Sequence, residues 1–389
     1  MTTVYLSPED KSGTHVLIIG IGAYTHLMGG TAPATNTCGM EQLSSPSVSA
    51  KAMVDWFVGP LVAPDSSGFR NTQSPLLSVE ALIASDTPTS VQSPDGMVEL
   101  EGATLDQVRI AYGRWRDRLI KHPGSTGIFY FCGHGLSAAK QYALCQDFLA
   151  YAGAPFEKAF DINATLTGLG KEAVDSDIHF WFDACRTVSA EMLLSVGGRP
   201  MGLTELPATN ETVERSHSFL QATGEGKLAF SKKNKVSRFT QALLTSLGGY
   251  AGESRPGNKW EVGSGELHKA VKAFLKDENK SADRKQSCAH DTWGEGVAIV
   301  QLSGPPKVKL SLDLSPMDMK AHGQLFYQRC DGAALKSIHS CSQGGLQVDV
   351  EIGFYNLGAE APAGHFSPML FANEMVQPPL YDHTFEVCT

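Results

Sequence analysis

The chain has 389 residues, 42% of them hydrophobic and 19% charged, and a formal net charge of −9. That composition supports one or two packed domains and excludes a disordered chain, while the negative balance speaks against nucleic acid as an obligatory partner, since phosphate binding needs a basic face. The longest apolar stretch near the start, Val16 to Ala23, is far below the roughly 20 residues a membrane span requires, so no membrane partner is expected.

From Thr14 the elements alternate. Val16 to Ile21 is a short β-branched run ending in glycine, the pattern of a buried parallel strand. A Gly/Thr/Pro-rich loop from Gly29 to Thr37 follows, and Ser47 to Leu61 then spaces Val48, Ala52, Met53, Trp56 and Phe57 as a helix. Ser78 to Ala84 reads as a strand. Thr104 to Ile120 reads as an amphipathic helix with Leu105, Val108, Ala111, Tyr112, Trp115 and Leu119 on one side. A strand ends at His134, a helix covers Ile162 to Leu169, and another strand ends at Cys185. Ser195 to Ser216 carries Gly, Pro, Thr and Asn without an apolar period and reads as a long exposed loop. Ser218 to Thr223 is the next strand, Arg238 to Leu247 and Glu266 to Leu275 are helices, and Gly296 to Leu302 is the last strand of this series. Strands separated by helices predict a mostly parallel sheet covered on both faces. Gly304-Pro305-Pro306 marks a boundary. Beyond it Val308 to Leu314 and Leu346 to Phe354 alternate apolar with polar residues, which predicts a small antiparallel β domain over 305–389 after a first domain over 1–304.

Two of these strands carry chemistry. Ile128-Phe129-Tyr130-Phe131-Cys132-Gly133-His134-Gly135 and Ile178-His179-Phe180-Trp181-Phe182-Asp183-Ala184-Cys185-Arg186 each end in a turn, one with a His and one with a Cys. Active sites of such sheets lie beyond the carboxyl ends of the strands. An imidazole there can take a thiol proton, and the thiolate can attack a carbonyl. Cys185 follows His134 by 51 residues; the caspase signature is Q-A-C-[RQG]-G with its His about 50 residues upstream. The chain therefore resembles the caspase-like cysteine peptidases, and more closely their paracaspase and metacaspase branch, in which Asp replaces the Gln. The resemblance runs from about Thr14 to Leu302, with Phe131 to Gly135, Asp183 to Arg186 and Ser218 to Leu247 as its most specific parts. Thr187 and Leu228 depart from the family pattern.

The resemblance implies an α/β fold with a six-stranded, mostly parallel sheet and a His134/Cys185 catalytic dyad. It also implies an oxyanion hole from the N–H groups of Gly135 and Cys185, and substrate pairing as an extended strand along Ala222, Thr223 and Gly224. Asp183 stands where caspases place a Gln in a pocket that takes aspartate. No Lys or Arg lies between Lys11 and Lys51 to make that pocket basic. Asp183, with Asp147 and Glu225 as further acids, points to a pocket for Arg or Lys; an ion pair between Asp183 and Arg186 is the structural alternative. The linker between about 195 and 216 is where such peptidases are cut for activation, and it holds Arg199 and Arg215; a plain surface loop in a single-chain enzyme, as in metacaspase relatives that work uncut, is the alternative. Cys132, His134, Cys145, His179 and Cys185 do not follow a zinc-knuckle spacing, so neither metal nor another cofactor is expected.

The eight scattered Cys residues are the usage of a reducing compartment. The first ten residues include Glu9 and Asp10 and lack a basic segment, so no secretory leader is expected and the location is cytoplasmic. The expected partners are protein or peptide substrates and an upstream activating protease or regulator, in a regulatory, cell-death or defence setting. The alternatives are a caspase-like hydrolase with a non-basic preference and a catalytically inactive caspase-like binding module.

Overall fold

The computed structural model describes residues 3–387 apart from 138–139, 152, 172–174, 185–199, 205–215, 223–232, 258, 294–297 and 332–335. The chain divides into two compact units, residues 1–244 with 275–301, and residues 245–274 with 302–389. One crossing lies close to the expected boundary, but the second unit also takes 245–274, which the change of period at Gly304 does not reveal.

The first unit is built on a seven-stranded sheet: β1 (Thr3–Leu6), β2 (Thr14–Ile21), β3 (Leu76–Ala84), β4 (Ser125–Gly133), β5 (Ser176–Ala184), β6 (His217–Gln221) and β7 (Ala289–Trp293). Their order is β1-β3-β2-β4-β5-β6-β7. The five inner strands are parallel; β1 and β7 join antiparallel at the two edges. Ala298–Leu302, the run expected to close the sheet, lies outside it, and the more polar Ala289–Trp293 takes the edge.

Side-chain alternation assigns the two faces of the sheet. Phe129, Phe131, Phe180 and Phe182 share one core with Val108, Ala111, Tyr112 and Trp115 of α2 (Leu105–Lys121), with Trp115 and Phe129 ring centroids 6.0 Å apart. Thr104 caps α2 in a reciprocal box with Gln107. Tyr130, Cys132, Trp181 and Asp183 take the other register positions. Trp181 meets Phe57 of α1 (Ser45–Val62) at 6.5 Å between centroids. α3 (Ile162–Lys171) and α4 (Arg238–Thr245) are further described helices, the second ending at the border of this unit.

The second unit holds most of α5 (Ser264–Glu278), an antiparallel hairpin of Glu253–Arg255 with Lys259–Gly263, and seven described strands beyond residue 302. These are β8 (Lys307–Ser315), β9 (Gln324–Arg329), β10 (Ser337–Ser340), β11 (Leu346–Glu351), β12 (Gly353–Glu360), β13 (Met369–Val376) and β14 (Leu380–Glu386). They form two sheets, β11-β8-β14 and β10-β9-β12-β13. Val308, Leu310, Leu312 and Leu314 of β8 face a common core with Leu325, Leu357 and Phe385. The expected antiparallel pattern holds except where β8 pairs parallel with β14. No described helix is long and apolar enough to cross a membrane.

Candidate active site

β4 and β5 run parallel in a register that sets Cys132 opposite Asp183 and Gly133 opposite Ala184. The two strands therefore end level, one directly before His134 and the other directly before Cys185. Cys185 lies outside the described residues, as do Thr223, Gly224, Glu225, Arg199 and Arg215.

His134 is fixed at three points. Its backbone N–H donates to Tyr24 Oη at 2.7 Å, its ring lies 4.9 Å from the Tyr24 ring, and its Nε2 is 2.8 Å from the carbonyl oxygen of Glu41. A carbonyl can only accept, so Nε2 carries the proton and donates. In the neutral ring Nδ1 is then the nitrogen left with a lone pair for a base. Burial is the larger influence on the imidazole and lowers its pKa, which the Glu41 contact opposes. The ring is thus held in the neutral form that can act as a base near pH 7.

The loop from Gly22 to Ser44 earns this geometry through Gln42. Its side-chain amide accepts from Tyr24 N–H at 2.6 Å and donates to the carbonyls of Tyr24 and Met28 at 3.1 and 3.0 Å. Glu41 and Tyr24 are thereby held next to one another. Gly133 is required by the same contact, because a Cβ there would sit 2.8 Å from Tyr24 Oη. Gly135 opens the short strand Gly135–Ser137, pairing with Ala143, and Leu144 N–H returns to the carbonyl of His134 at 3.1 Å.

Asp183 is 4% exposed. One carboxylate oxygen, Oδ2, accepts from Thr240 Oγ1 at 2.6 Å and from Ser237 Oγ. The Cys132 thiol donates to the same carboxylate. Thr240 spends its proton on Asp183, so Tyr130 Oη, 2.6 Å away, donates to Thr240. Ser237 also caps α4, accepting from Thr240 N–H at 3.1 Å, and its own N–H donates to Ser49 Oγ of α1 at 3.0 Å. Burial is the largest influence on Asp183 and raises its pKa; the hydrogen bonds from Ser237, Thr240 and Cys132 oppose it without cancelling it. Among the described residues no Lys or Arg pairs with this carboxylate.

Two expected pocket and pairing residues do other work. Asp147 accepts from Leu105 N–H at 3.0 Å at the start of α2 and lies 3.5 Å from Lys158, so its carboxylate is used at a helix N-terminus rather than beside Asp183. Ala222 does not offer an open edge to a substrate. Its N–H donates to the carbonyl of Phe182 at 2.8 Å, and its carbonyl accepts from Gln286 Nε2 at 3.0 Å. His179 bonds Ser218 Oγ at 2.6 Å, and burial lowers its pKa to about 3. Among the described residues no three His, Cys, Asp or Glu side chains gather as a metal site. Tyr24, Gln42, Ser237, Thr240 and Gln286 carry no motif in the sequence; the Ser237-Arg238-Phe239-Thr240 start of a helix is the nearest to a signal.

Residues 14–291 match the family model described as Peptidase C14, caspase domain. Protein y4kE of Sinorhizobium fredii (strain NBRC 101917 / NGR234) is 28% identical over 325 residues, spanning 80% of this chain and 91% of that protein. Among solved structures, protein GSU0716 from Geobacter sulfurreducens aligns with 14% identity and a TM-score of 0.41, over 73% of this chain and 94% of that one. Caspase-1 from Spodoptera frugiperda aligns with 8% identity and a TM-score of 0.39, over 77% of this chain and 94% of that one.

Proposed function

The chain belongs to the caspase-domain family of cysteine peptidases, and on that premise we propose that it is an endopeptidase that cuts protein substrates after Arg or Lys through His134 and Cys185. The observation that carries this reading is the level ending of β4 and β5, with His134 and Cys185 as the next residues of the two strands. Nδ1 of His134 accepts the Cys185 thiol proton, the role left to it once Nε2–H is used on Glu41. The thiolate attacks the scissile carbonyl carbon. The oxyanion that forms is held by the N–H groups of Gly135 and Cys185, a contribution of roughly 3–4 kcal/mol per donor in hydrolases. Imidazolium returns the proton to the leaving amine, and water then resolves the thioester. Asp183, a buried carboxylate without a described cationic partner, supports the preference for a basic side chain. The setting is limited proteolysis in regulation, cell death or defence, with a cut between residues 195 and 216 at Arg199 or Arg215 as the activating step.

The hydrogen bonding of Asp183 favours a second reading of that residue alone. Its bonds to the first turn of α4 fit a structural carboxylate, in which case the cleavage preference is set elsewhere and need not be basic. A cleavage profile over a random peptide library, with labelling by an Arg chloromethylketone peptide, tests both. The expected result is cleavage after Arg and Lys with the label on Cys185. Cysteine-dependent cleavage after acidic or neutral residues would overturn the pocket, and substantial turnover by Cys185→Ala would overturn the dyad.

A further inference from the structure

The first turn of α4 is fastened on two sides. Ser237 and Thr240 hold Asp183 at the end of β5. Between them Arg238 donates Nη2 to Asn279 Oδ1 at 2.8 Å and Nη1 to the carbonyl of Arg284 at 2.8 Å. Asn279 clasps the main chain of Gln286 in both directions: its Oδ1 accepts from Gln286 N–H at 2.9 Å, and its Nδ2 donates to the Gln286 carbonyl at 2.7 Å. The Gln286 side chain, 3% exposed, then reaches the carbonyl of Ala222. A buried amide is unfavourable unless its groups are bonded, so a glutamine in this place needs a polar task that an apolar side chain could not perform.

That task has a defined address. Ala222 is held from β5 through Phe182 and from the 279–286 segment through Gln286. The chain then continues directly into Thr223 and Gly224. We propose that Gln286 is a positioning residue for the peptide substrate, which with Asn279 anchors the carbonyl of Ala222 and so fixes the starting point of the segment that pairs with the substrate. The proposal rests on the peptidase reading above and adds a determinant outside the dyad and the acidic pocket. Arg238 couples the two fastenings, because the same helical turn that holds Asp183 also holds the clasp.

Gln286→Ala and Gln286→Met separate the donor from the volume it fills. Both leave the Asn279 clasp in place, since it uses the main chain of residue 286; Met also keeps most of the packing. One net hydrogen bond corresponds to about a fivefold change in an equilibrium. Both variants are therefore expected to raise KM for an Arg peptide by about fivefold with kcat changed less than twofold. Amide exchange over residues 217–224 should speed up by a similar factor, and alkylation of Cys185 by iodoacetamide should keep its rate. Unchanged KM and unchanged exchange in Gln286→Met, whatever its Tm, would overturn the proposal by reducing Gln286 to a structural residue. A wild-type chain that turns over no peptide would refute the peptidase reading instead. The exchange measurement then still decides the anchor: faster exchange in Gln286→Met supports it, and unchanged exchange overturns it.

Discussion

Replacing Asp183 separates the hydrogen bonding of its carboxylate to α4 from its proposed part in binding a basic side chain. Asn keeps an acceptor for Ser237 and Thr240 but carries no charge; Ala removes both. Neither variant ionises, so their difference in stability isolates the hydrogen bonds. Two buried hydroxyls left without an acceptor correspond to about 1–3 kcal/mol each, and Asp183→Ala should unfold about 2–6 kcal/mol more easily than Asp183→Asn. The comparison with wild type depends on pH. A carboxyl whose pKa is raised on folding favours the folded state below its ordinary value of 3.8, and this contribution is lost as pH rises through the raised value. Asp183→Asn escapes that loss, so it should be more stable than wild type at neutral pH, an advantage that vanishes in acid. Activity moves the other way. An Arg side chain deprived of its buried partner loses about 2–5 kcal/mol, so kcat/KM for Arg peptides should fall by roughly 30- to 5,000-fold in both variants. Urea unfolding at pH 7 and pH 4, with steady-state kinetics on Arg peptides, measures all of this. An Ala variant as stable as the Asn variant would refute the hydroxyl network, and full Arg turnover by Asp183→Asn would refute the pocket.

Four further outcomes are expected. Tyr24→Phe leaves the His134 N–H without its acceptor and should lower the unfolding free energy by about 1–3 kcal/mol, with a fall in kcat larger than any change in KM; kinetics identical to wild type would argue against this support. His15 and His179 are buried neutral, with pKa values lowered to about 4 and about 3. Stability should therefore fall as pH drops from about 6.5 toward 4, by up to about 1.4 kcal/mol per pH unit for each group; urea midpoints that stay level between pH 7 and 5 would contradict it. A chain ending at Gly304 strips residues 245–274 of the rest of their unit, including the Asp349 carboxylate that Tyr250 bonds, so it should melt well below the full chain; calorimetry showing equal stability would overturn that division. Mass spectrometry of active enzyme should find cuts after Arg199 or Arg215, and full activity from an uncut Arg199→Ala/Arg215→Ala chain would eliminate activation by cutting.

Much of this arrangement is written in short apolar runs. The buried strands β2 to β6 announce themselves as β-branched and aromatic segments, and all six residues read for the inner side of α2 are buried there. His134 and Cys185 stand out because each follows such a run. Edge strands are less legible: Ala289–Trp293 contains His290, Asp291 and Thr292, and it takes its place by pairing with β6, not by an apolar pattern of its own. Asp147 illustrates a different limit, since an acid near the site in sequence serves equally well as a helix cap. Period two does place Asp183 with Trp181, hence toward α1, but nothing in the sequence names Ser237 and Thr240 as its partners. Gln42 acts through bonds to the main chain of Tyr24 and Met28, and Gln286 through its bond to the Ala222 carbonyl, contacts that leave no periodic trace.

The interleaving of the two units has a consequence for the order in which the chain is made. Synthesis delivers the amino-terminal residues first, at about 5–20 residues per second. His134 and Cys185 therefore emerge well before Asn279, Gln286 and β7, and the stretch 245–274 must be produced in between although its own partners, 302–389, come last. A ribosome-bound chain carries the proposed nucleophile and base while the anchor of Ala222 and the outer strand beside β6 are still missing. On the peptidase reading, the segment proposed to pair with substrate gains its anchor only after residues 279–293 have been made, later than the dyad itself.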